Sequence, residues 1–530
     1  DTKRRDLGRI IAAAATQGSA AALREAASRD QNDRKQLLRD AAGVLMGLRF
    51  YPQAADLLEE AMQGSPSTEA RTQVETVRKA KRIEEIPMPD DDPKTIVRKL
   101  LLESLLDEFT NVKAADLFAS DEKKLFEKAE ERPAWRISRI GILSMARDQG
   151  LPVEFYADAG IPSVQFVQEG DDTLGYRIRA RAASRRSATD NDTFFVIRDN
   201  GKYRLGATSR DPQLIGWRVL RFLEANQLDA ARQWLNWERE ELTAGGGDDE
   251  LSGPAFAKFW AKGKTSATAE EIRLAAASLM LAKEVSDESI PILVAAREKA
   301  ASDEIRARID QCLVLAYGAK DDDASALPIA QRLYTTMPDS GTAFNMLTAA
   351  LTQLDRHAEA EKLANDRLVK IPRDEDALRS LAMSSMHEGK YDACEKQFRT
   401  VIEQLTPNAN DYNNMAWAEL LRGSELDRAL EDARHAMQLP GASAALLHTL
   451  ASLYAETGKS LEAREALLQS MDEAGRDEPA EHDWYVLGRI AENYGARDAA
   501  LAAYKRVEKP KTTVASSTWI LAERRIKAMK

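Results

Sequence analysis

Histidine is the side chain best suited to acid–base chemistry and metal binding near neutral pH, and the chain contains five. Sites of either kind need clustered partners, but no histidines stand in an HxxxH or HExxH arrangement. We therefore interpret all five as surface or packing residues, and we expect neither a metal ion nor a cofactor. They lie in the C-terminal third of the chain: His357, His387, His435, His448 and His482.

The two cysteines, Cys312 and Cys394, are too few for a disulfide framework or a four-cysteine zinc site. Cys312 stands in an apolar helical pattern, and Cys394 occupies a position where the repeat described below usually has alanine. We predict that both are small buried side chains without a chemical role.

The segment AKGKTSA, residues 261–267, ends like a phosphate-binding loop. That loop needs a glycine five residues before Gly263, where this sequence has Lys258. It also needs a preceding strand, whereas the local pattern is helical. The match therefore fails, and no nucleotide site is expected here.

Two carboxylates, Glu154 and Asp158, flank Tyr156 in the segment LPVEFYADAG and could line a pocket. Such a pair supports acid–base catalysis only when surrounding groups separate the two roles, and the sequence indicates no such groups. Because no catalytic motif is found elsewhere, we predict that the protein is not an enzyme.

Arginines alternate along the segment YRIRARA and share one face of a predicted strand, because successive side chains point to opposite faces. One interpretation is a patch that binds anions or acidic peptides. The alternative is a solvated sheet face whose charges pair with nearby carboxylates. The arginines are Arg177, Arg179 and Arg181, followed by Arg185 and Arg186.

Three tryptophans, Trp217, Trp234 and Trp237, fall on a predicted helix pair just after this region. Large aromatic side chains at helical spacing are typical of packed cores. We predict core packing for them rather than a ligand platform.

The elements that would position any site show a repeat in the C-terminal half, with a stride of about 34 residues. Large residues recur at slots 4 and 7, and in some units also at slots 11 and 24, while small ones recur at slots 8 and 20. Small residues let two helices cross closely and large ones fill the space between units, so the pattern predicts stacked helix hairpins. Five units begin at Gly341, Glu375, Ala409, Ala444 and Glu481, and a weaker unit begins at Ala307.

In the last unit, Trp484, Leu487, Gly488, Ala500 and Tyr504 occupy slots 4, 7, 8, 20 and 24. This arrangement resembles the tetratricopeptide repeat, over roughly residues 307–530. The resemblance implies an α-helical solenoid that binds proteins or peptides, with the first helix of each hairpin lining a concave surface.

Under this resemblance the lining residues fall at slots that packing does not use, such as 2, 5, 9, 12 and 13. Asparagine on this face often holds a peptide backbone in the family, which makes Asn413 the most suggestive candidate. The candidate contacts are Asn345, Ala349, Arg379, Asn413, Glu419, Tyr485 and Arg489.

Weaker helix pairs precede the array. Residues 268–301 form two amphipathic patterns, residues 34–66 fit the repeat up to Pro66, and residues 215–237 supply another pair. The final segment, residues 516–530, predicts one closing helix, as the end of a solenoid needs.

Between about residues 92 and 211 the hydrophobic period changes from helical to alternating. Four short segments rich in β-branched and aromatic residues follow predicted helices, and Asn200-Gly201 is a strong hairpin signal. This order predicts an α+β module with an antiparallel sheet. In its order of elements the module resembles the nuclear-transport-factor-2-like cone.

These patterns predict a mainly α-helical protein in four regions. Helix hairpins resembling tetratricopeptide repeats occupy residues 1–91 and the α+β module occupies 92–210. A helix pair and a glycine-rich linker occupy 211–250, and the solenoid with its closing helix occupies 251–530. The linker centres on TAGGGDDELSG, residues 243–253.

Composition narrows the class of protein. The 530 residues carry a formal net charge of −11, which repels phosphate backbones, so we expect no nucleic-acid partner. No apolar run approaches the ~18 residues of a membrane span. The first residue is Asp rather than Met, consistent with a removed signal peptide or a shortened chain. We expect a periplasmic or secreted bacterial protein, with the cytoplasm as the alternative.

The predicted function is a non-catalytic scaffold that binds a protein or peptide on the concave face of the solenoid. One alternative is small-molecule binding or enzymatic activity in a pocket of the α+β module. Another is a purely structural role in cell-envelope assembly.

Overall fold

A computed structural model describes ten ranges of the chain, which form two compact units. The first unit spans Asp1–Glu127 with Trp135–Arg210, and the second spans Lys128–Ala134 with Asp211–Lys530. Pro66, Arg185, Arg186, residues 261–265 and most of the glycine-rich linker lie outside the described ranges. Those ranges are 2–63, 67–106, 115–126, 143, 146–147, 151–181, 192–244, 266–441, 443–476 and 478–529.

The first unit begins with packed helix hairpins. Asp30 caps one helix by accepting hydrogen bonds from the backbone N–H groups of Asn32 and Asp33. Alanine and leucine side chains fill the space between the helices, and Tyr51 and Phe155 pack with ring centroids 5.9 Å apart. The helices are α1 (Thr2–Gln17), α2 (Ser19–Ala26), α3 (Gln31–Gly47), α4 (Tyr51–Ala61), α5 (Thr68–Lys79), α6 (Lys94–Leu106), α7 (Ser120–Phe126) and α8 (Val153–Ser163).

A four-stranded antiparallel meander completes this unit, with strands in sequence order. Asn200 and Gly201, with φ of 50° and 79°, form the two-residue loop of the last hairpin, which confirms the turn predicted from the sequence. The strands are β1 (Gln165–Asp171), β2 (Gly175–Arg181), β3 (Asp192–Asp199) and β4 (Lys202–Thr208). The likeness of this module to the nuclear-transport-factor-2-like cone stays a prediction.

The second unit is helical throughout its described residues. Its helices are α9 (Pro212–Glu224), α10 (Leu228–Ala244), α11 (Ala269–Leu279), α12 (Ser286–Lys299), α13 (Asp303–Ala319), α14 (Asp323–Thr336), α15 (Gly341–Gln353), α16 (His357–Lys370), α17 (Glu375–His387), α18 (Tyr391–Gln404), α19 (Ala409–Arg422), α20 (Leu426–Ala436), α21 (Ala444–Glu456), α22 (Ser460–Glu473), α23 (Asp483–Asn493), α24 (Arg497–Tyr504) and α25 (Thr518–Ala528). Helix α25 is the closing helix that the sequence predicts.

The repeat register is visible in the backbone of the turns. Slot 15 of each unit joins the two helices of a hairpin and has a left-handed backbone, with φ between 54° and 80°. Glycine and aspartate tolerate this conformation better than most residues. The slot 15 residues are Asp321, Asp355, Gly389, Gly423, Gly458 and Gly495.

Helix starts and helix crossings follow the same register. The N-cap side chains of Ser340, Asp374 and Asn408, each just before a first helix, accept backbone hydrogen bonds. Small residues at slots 8 and 20 are fully buried, which confirms the predicted close crossing. These pairs are Ala382 with Cys394, Ala416 with Ala429 (after a one-residue insertion), Ala451 with Ala463, and Gly488 with Ala500.

The packing predictions hold for both cysteines and for two of the three tryptophans. Trp217 is only half-buried, and the Arg221 guanidinium lies 4.4 Å from its ring centroid. Cys312 and Cys394 are buried free thiols, and burial raises the pKa of Cys394 to about 12. Trp234 and Trp237 are buried in the second unit, and the Trp234 ring meets Phe222 edge to face at 5.3 Å. Neither tryptophan is available as a ligand platform.

Candidate functional site

The predicted partner contacts lie on first helices of successive hairpins, and several already join one hairpin to the next. Asn345 Nδ2 donates to Asp376 Oδ1 at 3.0 Å, from α15 to α17. Arg379 donates from Nε and Nη2 to the two oxygens of Asp411 at 2.8 and 2.9 Å, from α17 to α19. This bidentate pair raises the pKa of Arg379. These side chains therefore fix the spacing of the hairpins.

Tyr485 and Arg489 on α23 also join one hairpin to the preceding one. The Tyr485 hydroxyl donates to Glu456 on α21, and Arg489 Nε lies 2.8 Å from the same carboxylate. Both side chains are buried, and burial raises the pKa of Tyr485 well above its usual value. Contact between these residues and a partner stays a prediction, but neither presents an open polar surface.

Asn413 and Glu419 on α19 differ because each keeps an unused acceptor. Asn413 is 9% exposed, and its Oδ1 accepts no hydrogen bond from the described residues. Glu419 falls at slot 11, a packing slot, which explains why it is buried. Arg428 donates to its Oε1, while no described residue donates to its Oε2, and burial raises the pKa of this carboxyl.

A short piece of the chain lies against this same face, which the sequence analysis did not predict. Tyr391 OH donates to the backbone carbonyl of Ala515 at 2.6 Å, and Trp417 Nε1 donates to that of Ser516 at 2.8 Å. His387 Nδ1 lies 2.6 Å from the Ser516 hydroxyl oxygen. The first-helix face at α17 to α19 therefore already holds a peptide segment.

Trp417 and His387 fall at slots 9 and 13, two of the slots assigned to the lining. Neither is among the candidate contacts predicted from the sequence, where His387 is interpreted as a surface or packing residue and Trp417 has no assigned role. An aromatic residue at a lining slot was the signal that could have found Trp417.

The repeat also pairs histidines that looked scattered in the sequence. His448 and His482, on neighbouring hairpins, have ring centroids 4.8 Å apart, and the rings of His357 and His387 stack at 5.6 Å. His448 falls at slot 5 of one unit and His482 at slot 2 of the next, so both occupy lining slots of neighbouring hairpins.

Among the residues that the structure describes, two groups of side chains could hold a metal ion by distance alone. In the first, ligand atoms of His448, His482 and Asp483 lie within 4.8 Å of one another. Arg476 already forms an ion pair with Asp483, and its Nη2 stands 3.5 Å from His482 Nε2, so a positive charge occupies the position. The second group is bridged by Arg428 in the same way and comprises Glu395, Glu419 and Glu425.

Acid should destabilise the array through its buried histidines. Burial lowers the pKa of His387 and His448 from 6.5 to about 4. Between these values the unfolded chain binds protons that the folded chain does not, so stability falls as pH drops from 6.5 towards 4. At pH 5 we expect a loss of about 2 kcal/mol from each histidine. Hydrogen exchange of the array at pH 7 and pH 5, corrected for intrinsic rates, measures it.

The control for this experiment is the double variant His387→Gln/His448→Gln, which cannot titrate at these positions. Its stability should change less between pH 7 and pH 5 than that of the unaltered chain. Equal changes in the two proteins would show that these histidines do not set the acid sensitivity.

In the α+β module, Arg177 and Arg179 of strand β2 pair with a nearby carboxylate, as one of the two interpretations from the sequence predicts. Arg177 is buried and forms an ion pair with Glu169, which lies opposite it in β1. Arg179 Nη1 lies 3.3 Å from the same carboxylate, and Arg181 lies opposite Gln165. An anion-binding role for the three arginines stays a prediction.

The two carboxylates of the segment LPVEFYADAG, Glu154 and Asp158, differ in burial. Asp158 is fully buried and accepts hydrogen bonds from Arg49 Nε and Nη2 at 2.7 and 2.8 Å, from the Tyr51 hydroxyl and from the backbone N–H of Ile83 at 3.0 Å. Glu154 is exposed. Asp158 therefore holds helix α8 against the N-terminal hairpins.

Two clefts of this unit bear on the alternative of a small-molecule site. One lies between α6 and β4 and has a volume of about 30 Å³, room for about one water molecule. The other is an open cleft of about 950 Å³ beside the N-terminal hairpins. Its basic lining residues are Arg49, Arg78, Lys79, Lys81 and Arg82.

No protein-family model matches the chain. No curated protein matches it either. The chain is similar to a solved tetratricopeptide repeat protein from Parabacteroides merdae, with 18% identity over 46% of this chain and 93% of that one, and a TM-score of 0.34. It is also similar to Pseudomonas aeruginosa PilF, with 14% identity over 45% of this chain and 99% of that one, and a TM-score of 0.31. Yeast Tom70 shares 11% identity over 100% of this chain and 95% of its own, with a TM-score of 0.35.

In the described part of the chain no helix is both long and apolar enough to cross a membrane. The absence of a nucleic-acid partner stays a prediction. The recurring left-handed turns, helix caps and buried small residues identify the fold of the C-terminal part. That part is an array of helix hairpins of the tetratricopeptide-repeat type.

Proposed function

We propose that the protein is a non-catalytic scaffold that binds a protein or peptide partner on the first-helix face of the C-terminal hairpins. One observation carries this proposal: Trp417 on the first helix α19, together with Tyr391 at the start of the neighbouring second helix α18, already hydrogen-bonds a stretch of polypeptide. Every peptide offers backbone carbonyls, so these donors are suited to a partner segment of another protein. Specificity would come from the side chains around them.

The remaining polar groups on this face support the same proposal. Asn413 lies one turn before Trp417 on α19, and its Oδ1, which accepts no hydrogen bond within the described part of the chain, could accept one from a partner N–H group. Ala349 is exposed at slot 9 of α15. Arg379, Tyr485 and Arg489 contribute by holding the hairpins at a fixed spacing, as their contacts with Asp411 and Glu456 indicate.

Photo-crosslinking from one hairpin tests the proposal. A benzophenone amino acid at Ala349 reports on the first-helix face, and the same group at Val369 reports on the second helix, where the side chain is 83% exposed. In extracts of the source cells we expect a discrete partner adduct from position 349 and none from position 369. Adducts of equal yield from both positions, or none from position 349, would contradict the proposal.

Ala349 is preferred to the buried candidates for this experiment. Replacing Arg489 would break its contact with Glu456, so weaker partner binding could not be separated from loss of structure. Replacing an exposed alanine leaves the hairpin packing intact.

A further inference from the structure

The segment that lies on the first-helix face is residues 513–517, which connect α24 to the closing helix α25. Its centre is one short 3₁₀ turn, Val514–Ser516. Four polar contacts hold it: the three made by His387, Tyr391 and Trp417, and a hydrogen bond from the Thr513 backbone N–H to Asp355 Oδ1 at 3.1 Å. They span more than one hairpin of the array.

The shape of the face also matches the segment. Gly389 stands at the turn between α17 and α18, and a Cβ at that position would lie 3.5 Å from the Cβ of Ala515. The methyl group of Ala515 therefore lies close to the turn. The segment Val514-Ala515-Ser516-Ser517 presents small side chains and two carbonyls to fixed donors.

A simple connection between two helices would not need these contacts. The donors of the two backbone hydrogen bonds come from two different hairpins. Tyr391 is the first residue of α18 in the hairpin α17–α18, and Trp417 occupies lining slot 9 of α19 in the hairpin α19–α20. Tyr391 and Trp417 donate only to backbone carbonyl groups. A different chain with the same backbone conformation would therefore accept these hydrogen bonds equally well.

We infer that residues 513–517 fill a peptide-binding site of this chain in cis, and that a partner segment of small residues binds there by displacing them. This inference rests on the proposed function and adds the chemistry of the ligand and the regulation of the site. A tethered segment competes at an effective concentration on the order of millimolar. The contact in cis therefore weakens the binding of every partner that uses the same donors.

The test uses the full chain and a labelled peptide of residues 511–518, KTTVASST, as the probe. In the unaltered protein the cis segment should exclude the peptide. Ala515→Glu places a long charged side chain against Gly389 and should release the segment, so we expect at least about tenfold tighter binding of the peptide. Lys511→Glu, an exposed change in the same connection, is the matched control and should bind like the unaltered protein.

Adding Trp417→Phe to the Ala515→Glu protein removes one donor while keeping a large aromatic ring. We expect this double variant to lose the gain in peptide affinity. Peptide affinity equal in the unaltered and Ala515→Glu proteins, no binding to either, or binding indifferent to Trp417→Phe would each overturn the inference.

A reversible disulfide that holds the segment in place provides a second measurement, which does not depend on a variant that releases the segment. The pair Gly389→Cys/Ala515→Cys places two Cβ atoms within the distance of a disulfide, and the native cysteines are buried. Oxidation with glutathione disulfide should reduce crosslinking from position 349 to a partner, and reduction should restore it. Adducts of equal yield in both states would overturn cis occupation while leaving the proposed scaffold function intact.

Absence of adducts from a benzophenone at position 349 in the chain without the cysteine pair would count against the proposed function itself. A dimer of the unaltered chain formed by exchanged C-terminal segments, detected by light scattering, would place a second copy in the site. That result would also overturn occupation in cis.

Discussion

Replacing Asp158 by alanine should lower the free energy of unfolding of the N-terminal unit by about 3–5 kcal/mol, because it leaves a buried network without its acceptor. Asp158 is fully buried and accepts hydrogen bonds from Arg49, Tyr51 and the backbone of Ile83. Without it the Tyr51 hydroxyl, which is also buried, loses its acceptor. Hydrogen exchange measured by mass spectrometry over residues 1–210 reports the change.

Glu84→Ala is the matched control because Glu84 binds the same guanidinium. Its two carboxylate oxygens lie 3.0 Å from Arg49, but the side chain is exposed to solvent. Exposed ion pairs contribute little, so we expect no measurable change. Similar destabilisation by the two variants would show that burial of Asp158 is not what makes its network important.

Phe398→Ala should destabilise the C-terminal array by about 3–5 kcal/mol through the cavity that it leaves. Phe398 occupies slot 24 on α18, is fully buried, and belongs to a continuous apolar core that reaches from α17 to the closing helix. Because neighbouring hairpins share this core, faster hydrogen exchange should spread from α18 into α17 and α19.

Leu461→Ala removes an apolar side chain of similar chemistry from the surface of α22. The Leu461 side chain is 65% exposed, so the substitution should change stability by less than about 0.5 kcal/mol. An array that tolerated Phe398→Ala equally well would not have the predicted core between its hairpins.

The repeat could be predicted because each of its rules is local. Side-chain size at slots 8 and 20 decides whether two adjacent helices can approach, and both helices of a hairpin lie within one unit of sequence. The Asn200-Gly201 turn is equally local, because its two residues alone supply the positive φ values. Such features are confirmed by the structure.

The contacts at the site depend on residues that are distant in sequence. Trp417 and Ser516 are 99 positions apart, and no pattern around either residue indicates the other. The pairing of Arg379 with Asp411 needs knowledge of how far consecutive hairpins rotate, which slot numbers do not provide. The sequence could therefore propose Arg379 as a lining residue but could not show that it already has a partner.

Glu419 illustrates a different difficulty. It was proposed as a contact residue although slot 11 is a packing slot, and the structure buries it beside Arg428 and Arg399. A charged residue at a packing slot predicts a buried ion pair better than an exposed contact, because burial requires an opposite charge.

The central claim is that side-chain size at fixed slots stacks the hairpins, and a pair of glycine variants tests it most directly. A Cβ at Gly488, slot 8 of the last unit, would lie 2.5 Å from the ring of Tyr504, so Gly488→Ala should destabilise the end of the array by about 1–3 kcal/mol. Gly318, on α13, has open space around it, so Gly318→Ala should be neutral or stabilising by up to about 1 kcal/mol. The measurement is hydrogen exchange of α23 and α24 in the first variant and of α13 in the second. Opposite outcomes at the two positions are predicted, and a tolerated Gly488→Ala would contradict the claim.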